Sequence, residues 1–179
     1  MTNNNIIPIG RDGYYHPENE LQIINLVKHA YANNLQVRCR GSVHSVADSI
    51  YTDPGEGDAP VPNRVSQENP PSGPNLNIMF DKYIGLEWID EANGIVEAEA
   101  GIHLGTDPLD PTGTSNEGDS FLYQVAQKGW TINDLGGITH QTVSGFQMMG
   151  CAGGTTMYSL EDNYLAFRVI DGTGGVRWI

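Results

Sequence analysis

From Leu135 to Thr155 the chain reads LGGITHQTVSGFQMMGCAGGT, and six of those 21 residues are glycine (136, 137, 145, 150, 153 and 154). A stretch so short of side chains cannot build a core of its own, and Met148-Met149 in its middle sets it apart from a flexible linker. It reads neither as a linker nor as an obvious helix. Small residues beside apolar ones describe backbone that something flat approaches closely. That something is a bound ligand in one reading and the protein's own strands in the other. The whole chain leans the same way, with 22 Gly in 179 residues, about 12% against a usual ~7%.

A second stretch also resists regular structure. Asp53 to Pro74 holds six of the ten prolines and no apolar period, which predicts a long surface loop. The remaining segments supply the elements. Pro17 suits a first helical position, and Leu21, Ile24, Val27, Ala30 and Tyr31 recur at three- and four-residue spacings, predicting a helix over Glu18 to Asn33. Leu35 to Arg40 alternates in a way that predicts a strand burying Leu35, Val37 and Cys39. Asn77 to Asp81, Leu86 to Asp90 and Ile95 to Ala100 read as strands, with Asn93-Gly94 marking a hairpin between the last two. Thr106 to Asp119 is a polar loop leading into a helix that starts at Asp119 or Ser120 and stops at Gly129. Ala166 to Ile170 and Val176 to Ile179 flank DGTGG as a final hairpin. The length fits one domain, or one plus a piece of another, and the element pattern predicts an α+β fold. An end strand carrying Trp178-Ile179 is an aggregation hazard when unpaired, so the chain is expected to be the front portion of a longer protein.

Charge narrows the partners. Nine Lys+Arg stand against 22 Asp+Glu, a net charge of −13, which argues against nucleic acid and anionic membranes. A small-molecule substrate or a protein partner remains. No apolar run reaches a membrane span and the first ten residues lack a secretory signal, so a cytoplasmic protein with reduced Cys39 and Cys151 is expected. The defining residues of P-loop, dinucleotide-fingerprint, zincin, thioredoxin and serine-hydrolase motifs are missing. No metal site is expected.

The chemistry concentrates in two segments. In VRCRGSVHS (Val37 to Ser45) a strand runs into Gly41 and Ser42, where successive backbone N–H groups can form an anion-binding nest, with Arg38 and Arg40 adding positive potential. An ordinary strand-to-loop turn is the alternative. The Leu135–Thr155 segment is the other.

Taken together, RxRGSVHS and LGGITHQTVSGFQMMGCAGG resemble the two FAD-binding motifs of vanillyl-alcohol oxidase and p-cresol methylhydroxylase type (PCMH-type) flavoproteins. IVEAEAGIHL (Ile95 to Leu104), Gly129 to Leu135 and FRVIDGTGG (Phe167 to Gly175) resemble three further motifs of that family in the same order. The resemblance runs from about Tyr14 to Ile179. It implies FAD held between two small α/β subdomains, expected over 1–100 and 101–179, with the second incomplete and the substrate domain elsewhere. It carries Arg40, Gly41, Ser42, Val43 and Ser45 onto the pyrophosphate loop and His44 onto the histidine that many members join covalently to the flavin. Gly137, Thr142, Gly145, Phe146, Gln147, Met148 and Met149 fall on the second FAD-contacting segment. The implied activity is an FAD-linked oxidoreductase taking a hydride from the C–H of an alcohol or hydroxyl-bearing substrate; a non-catalytic FAD-binding subunit that needs a partner chain is the alternative. Val43 replaces the family's commoner glycine and Ala152 a frequent histidine. His103 and His140 are further candidates for an active site.

Overall fold

The computed structural model describes residues 6–42, 73–108, 110, 113–151 and 153–179. Val43, His44, Ser45, Ala152 and all of the expected 53–74 loop up to residue 72 lie outside the described residues. In chain order the elements are helix α1 (Glu20–Ala32), strands β1 (Val37–Arg40), β2 (Leu76–Met79), β3 (Leu86–Asp90) and β4 (Ile95–Ala98), helices α2 (Phe121–Ala126) and α3 (Val143–Met148), and strands β5 (Arg168–Ile170) and β6 (Val176–Trp178). The fold is mixed α and β. Among the described residues no helix is long and apolar enough to cross a membrane.

Strands β1 and β2 pair in parallel, Val37 opposite Leu76 through Arg40 opposite Met79. Tyr15 adds a parallel bridge on the other side of β2: its N–H donates to the Asn77 carbonyl (2.8 Å) and its carbonyl accepts from Met79 (2.9 Å). Parallel neighbours need a crossover, and α1 supplies it between Tyr15 and β1. The helix starts later than Pro17 suggests, because Asn19 caps it by accepting from the Gln22 N–H at 3.1 Å. Its buried stripe is Ile23, Leu26 and Ala30, while Leu21 and Tyr31 are 64% and 66% exposed. Both stripes obey helical spacing, and contact with Leu76 and Ile78 selects the first. In β1 the expected inward Cys39 is exposed and Arg40 is buried.

The second half is antiparallel and irregular. Strands β3 and β4 form the expected hairpin, with a register slip between Trp88 and Asp90, and its connection is a 3₁₀ turn at Glu91–Asn93 closed by a left-handed Gly94. Asp90 accepts from the Asn93 backbone (3.2 Å) and side chain (2.7 Å) to close that turn. Helix α2 starts after Ser120. The glycine-rich segment does contain a helix, α3, whose cap Thr142 accepts from the Gly145 N–H at 3.1 Å. Strands β5 and β6 form the expected final hairpin, which reaches α1 through a two-pronged ion pair between Arg168 and Glu20. The hydrogen bond from Arg168 holds the Glu20 carboxyl below its ordinary pKa.

Two apolar clusters result. One holds Leu26, Ala30, Leu76 and Ile78; the other holds Ile102, Leu104, Phe121, Val125 and Phe146. Leu86, Trp88, Val96 and Ala98 pack on the second cluster. Just before the second cluster's Ile102, the Gly101 N–H donates to the Tyr83 carbonyl at 2.8 Å. A Cβ on Gly101 would overlap the Phe80 carbonyl oxygen and stand 2.7 Å from that of Tyr83. Gly101→Ala is therefore expected to lower stability by more than about 3 kcal/mol in urea unfolding. Gly172→Ala, with open space at its Cβ position, should change it by less than about 1 kcal/mol.

Candidate functional site

The turn after β1 lies at the carboxyl edge of a parallel pair, the edge where open α/β sheets collect ligands. Arg40 anchors it. Its guanidinium lies over the Tyr14 ring, 4.7 Å from the centroid, and donates to the Tyr14 hydroxyl and to Asn77 Oδ1 (3.4 Å). All three side chains are buried, and a buried guanidinium requires such partners. These contacts draw the Arg40 head onto the sheet, while Arg38 is exposed to solvent beside the turn.

Gly41 and Thr142 bring the two candidate segments together. A Cβ on Gly41 would overlap the Thr142 hydroxyl and lie 2.9 Å from its methyl carbon. Thr142 is buried and forms an antiparallel bridge to His103. The backbone around it is fixed on both sides, since Val143 donates to the Ile102 carbonyl and Leu104 to the Gln141 carbonyl, both at 2.8 Å. Ser42, the next residue of the turn, is also buried.

The other expected contact residues divide by environment. Phe146 is 1% exposed, inside the second cluster, so its ring serves the core and only its backbone can meet a ligand. Gln147 is half-buried, and Met148 and Met149 are 69% and 65% exposed. Gly145 packs near the Thr142 hydroxyl. Gly137 takes no left-handed φ, and among the described residues nothing lies within 4 Å of where a Cβ would stand. His103 is buried beside Thr142, whereas His140 is half-buried.

Sequence reasoning missed Asp134. This carboxylate is 2% exposed and accepts the Gly153 N–H with both oxygens (3.0 and 3.1 Å). Asn163 grips its backbone from the other side, accepting from the Asp134 N–H (2.9 Å) and donating to its carbonyl (2.6 Å). The tail of the glycine-rich segment is thus tied to its start across 19 positions. An aspartate before LGG carries no local mark of that role. Tyr14 and Asn77 were missed likewise, because their roles arise only when β1, β2 and the Tyr15 bridge align. Among the described residues no three His, Cys, Asp or Glu side chains are grouped to hold a metal ion.

No protein-family model matches the chain, and no curated protein sequence matches it. The geometry can be tested without a ligand. Gly41→Ala should cost about 1–3 kcal/mol through overlap with Thr142, and Thr142→Ala about 1 kcal/mol through the lost cap. Because they share one contact, the double variant should be more stable than the sum by at least about 0.5 kcal/mol, measured by urea unfolding of all four proteins.

Proposed function

We propose that the chain is the FAD-binding part of a PCMH-type flavin-dependent oxidoreductase, with FAD lying against the turn after β1 and the segment from Gly137 to Met149. The observation that carries this reading is the close approach of Gly41 to Thr142, which joins the two segments that the family resemblance assigns to one cofactor. At Gly137 the exposed backbone is open among the described residues, as it is at Gly154 and Gly172, which leaves room for a flat ligand over it.

In this reading the backbone of Gly41 and Ser42 faces the pyrophosphate, the family resemblance adds Val43 and Ser45 to that loop, and Arg40 positions the turn from beneath through Tyr14 and Asn77. Exposed Met148 and Met149 offer adaptable apolar surface to a ring system or to what covers it. His44 is the residue that would carry a covalent flavin bond. When bound, FAD would supply two-electron chemistry, accepting a hydride from a hydroxyl-bearing substrate, while the protein orients it.

A second reading keeps FAD binding without turnover, in a subunit or scaffold that needs a partner chain. It draws on exposed apolar side chains at Met148, Met149 and Met157 (69%, 65% and 78%), which call for a cover.

Mass measurement of the tryptic peptide containing His44 should show an added flavin, and His44→Ala should lose flavin retained through acid precipitation. Gly137→Leu should lower flavin occupancy by about tenfold or more while moving unfolding stability by less than about 1 kcal/mol. A purified protein that is colourless and releases no flavin on denaturation sinks both readings; flavin without substrate oxidation favours the second.

A further inference from the structure

We propose that Asp12, His16 and Asp81 form a pH-sensitive latch that fastens the segment before α1 to the end of β2. The His16 Nδ1 lies 2.6 Å from Asp81 Oδ1, and its Nε2 lies 3.1 Å from both oxygens of Asp12. A neutral imidazole has one N–H and one lone pair, so one of these contacts would set a lone pair against a carboxylate. Only the imidazolium donates to both. The site is enclosed as well as paired: the side chains of His16, Asp12 and Asp81 are 18%, 14% and 8% exposed. The loop around them is tight, with Gly10 donating to the Tyr14 carbonyl at 2.7 Å and Tyr14 donating to Asp12 Oδ1 at 3.2 Å. A Cβ on Gly10 would stand 2.6 Å from Asp12 Oδ1 and 3.0 Å from His16 Nε2.

Two carboxylates therefore face the ring, one from its own loop and one from the end of β2. Arg11 adjoins Asp12 in the chain, and two other nearby charged side chains are engaged elsewhere. Glu18 pairs with Lys82 at 3.1 Å, and Arg40 from β1 is held by Tyr14 and Asn77. The hydrogen bond to Asp81 is the main reason the His16 pKa rises above its ordinary 6.5, with Asp12 adding to it and burial opposing. A raised folded-state value means that the latch contributes fully below pH 6.5 and is lost as pH climbs through the raised value. Opening then frees Asp12 from the ring and loosens the Tyr15 bridge to β2. None of this depends on a cofactor.

Amide hydrogen exchange of the full chain tests it. After correction for intrinsic base catalysis, protection at Tyr15 and Met79, the two amides of that bridge, should fall severalfold between pH 6 and pH 9, the direction that a raised His16 pKa requires. Protection at Ala30 in α1 should fall less, and in His16→Gln the bridge amides should show no such pH dependence. Equal behaviour of bridge and helix amides, or the same fall in His16→Gln, overturns the latch. If His16→Gln does not fold, NMR titration of the wild-type ring decides: a midpoint above 6.5 with both nitrogens protonated supports the latch, and one at or below it overturns it.

Discussion

Five consecutive residues, 101–105, hold the molecule together through their backbone. Gly101 donates to Tyr83, the Ile102 carbonyl accepts from Val143, and Leu104 and Gly105 donate to Gln141 and Thr139. The His103 and Leu104 carbonyls accept the first amides of α2, from Phe121 and Leu122. A buried strand fragment must satisfy its polar groups somewhere, and this one does so by binding the end of the first sheet region, the start of one helix and the lead-in to another. Its side chains complement its backbone, since Ile102 and Leu104, at 0% and 1% exposure, sit at the centre of the second cluster. The meeting of Gly41 with Thr142 follows from this arrangement, because the same fragment fixes the Thr142 backbone.

Around that hub, a few buried polar groups decide which faces turn inward. Arg40 lies inward because Tyr14 and Asn77 satisfy it, and Cys39 is turned outward as a consequence. Asp134 plays the same part for the glycine-rich segment, which has too few side chains to hold its own shape. Such groups are costly when unpaired and directional when paired. They specify a turn and a loop that apolar packing alone would leave loose, and both are surfaces assigned to the proposed cofactor.

Elements with a plain period were legible in the sequence. Helix α1, strands β1 to β4 and the final hairpin fall within a few residues of where apolar spacing puts them, since local pattern and tertiary packing agree there. Faces were less legible. The α1 spacing points to Leu21, Ile24, Val27, Ala30 and Tyr31; of these Ala30 is buried, but contact with the sheet turns the inward face toward Ile23 and Leu26 and leaves Leu21 and Tyr31 exposed. Helix α3 was hidden because glycine and a six-residue length dilute its period, whereas its threonine cap and the packing of Phe146 make it form. Of the candidate site, the two segments were readable from their glycines, and Gly41 and Thr142 each lay in one of them. The ties through Tyr14, Asn77 and Asp134 join positions tens of residues apart and leave no local trace.

The first sheet has a kinetic corollary. Its middle strand, β2, is buried on all four positions and is synthesised after both of the pieces it joins, Tyr15 and β1. Until Leu76–Met79 comes in, neither neighbour has a partner, and the Arg40 and His16 clusters each lack a member from that region. Long-range parallel pairing of this kind forms slowly, so this end of the molecule should complete its assembly late, with the earlier pieces exposed to wrong partners in the meantime.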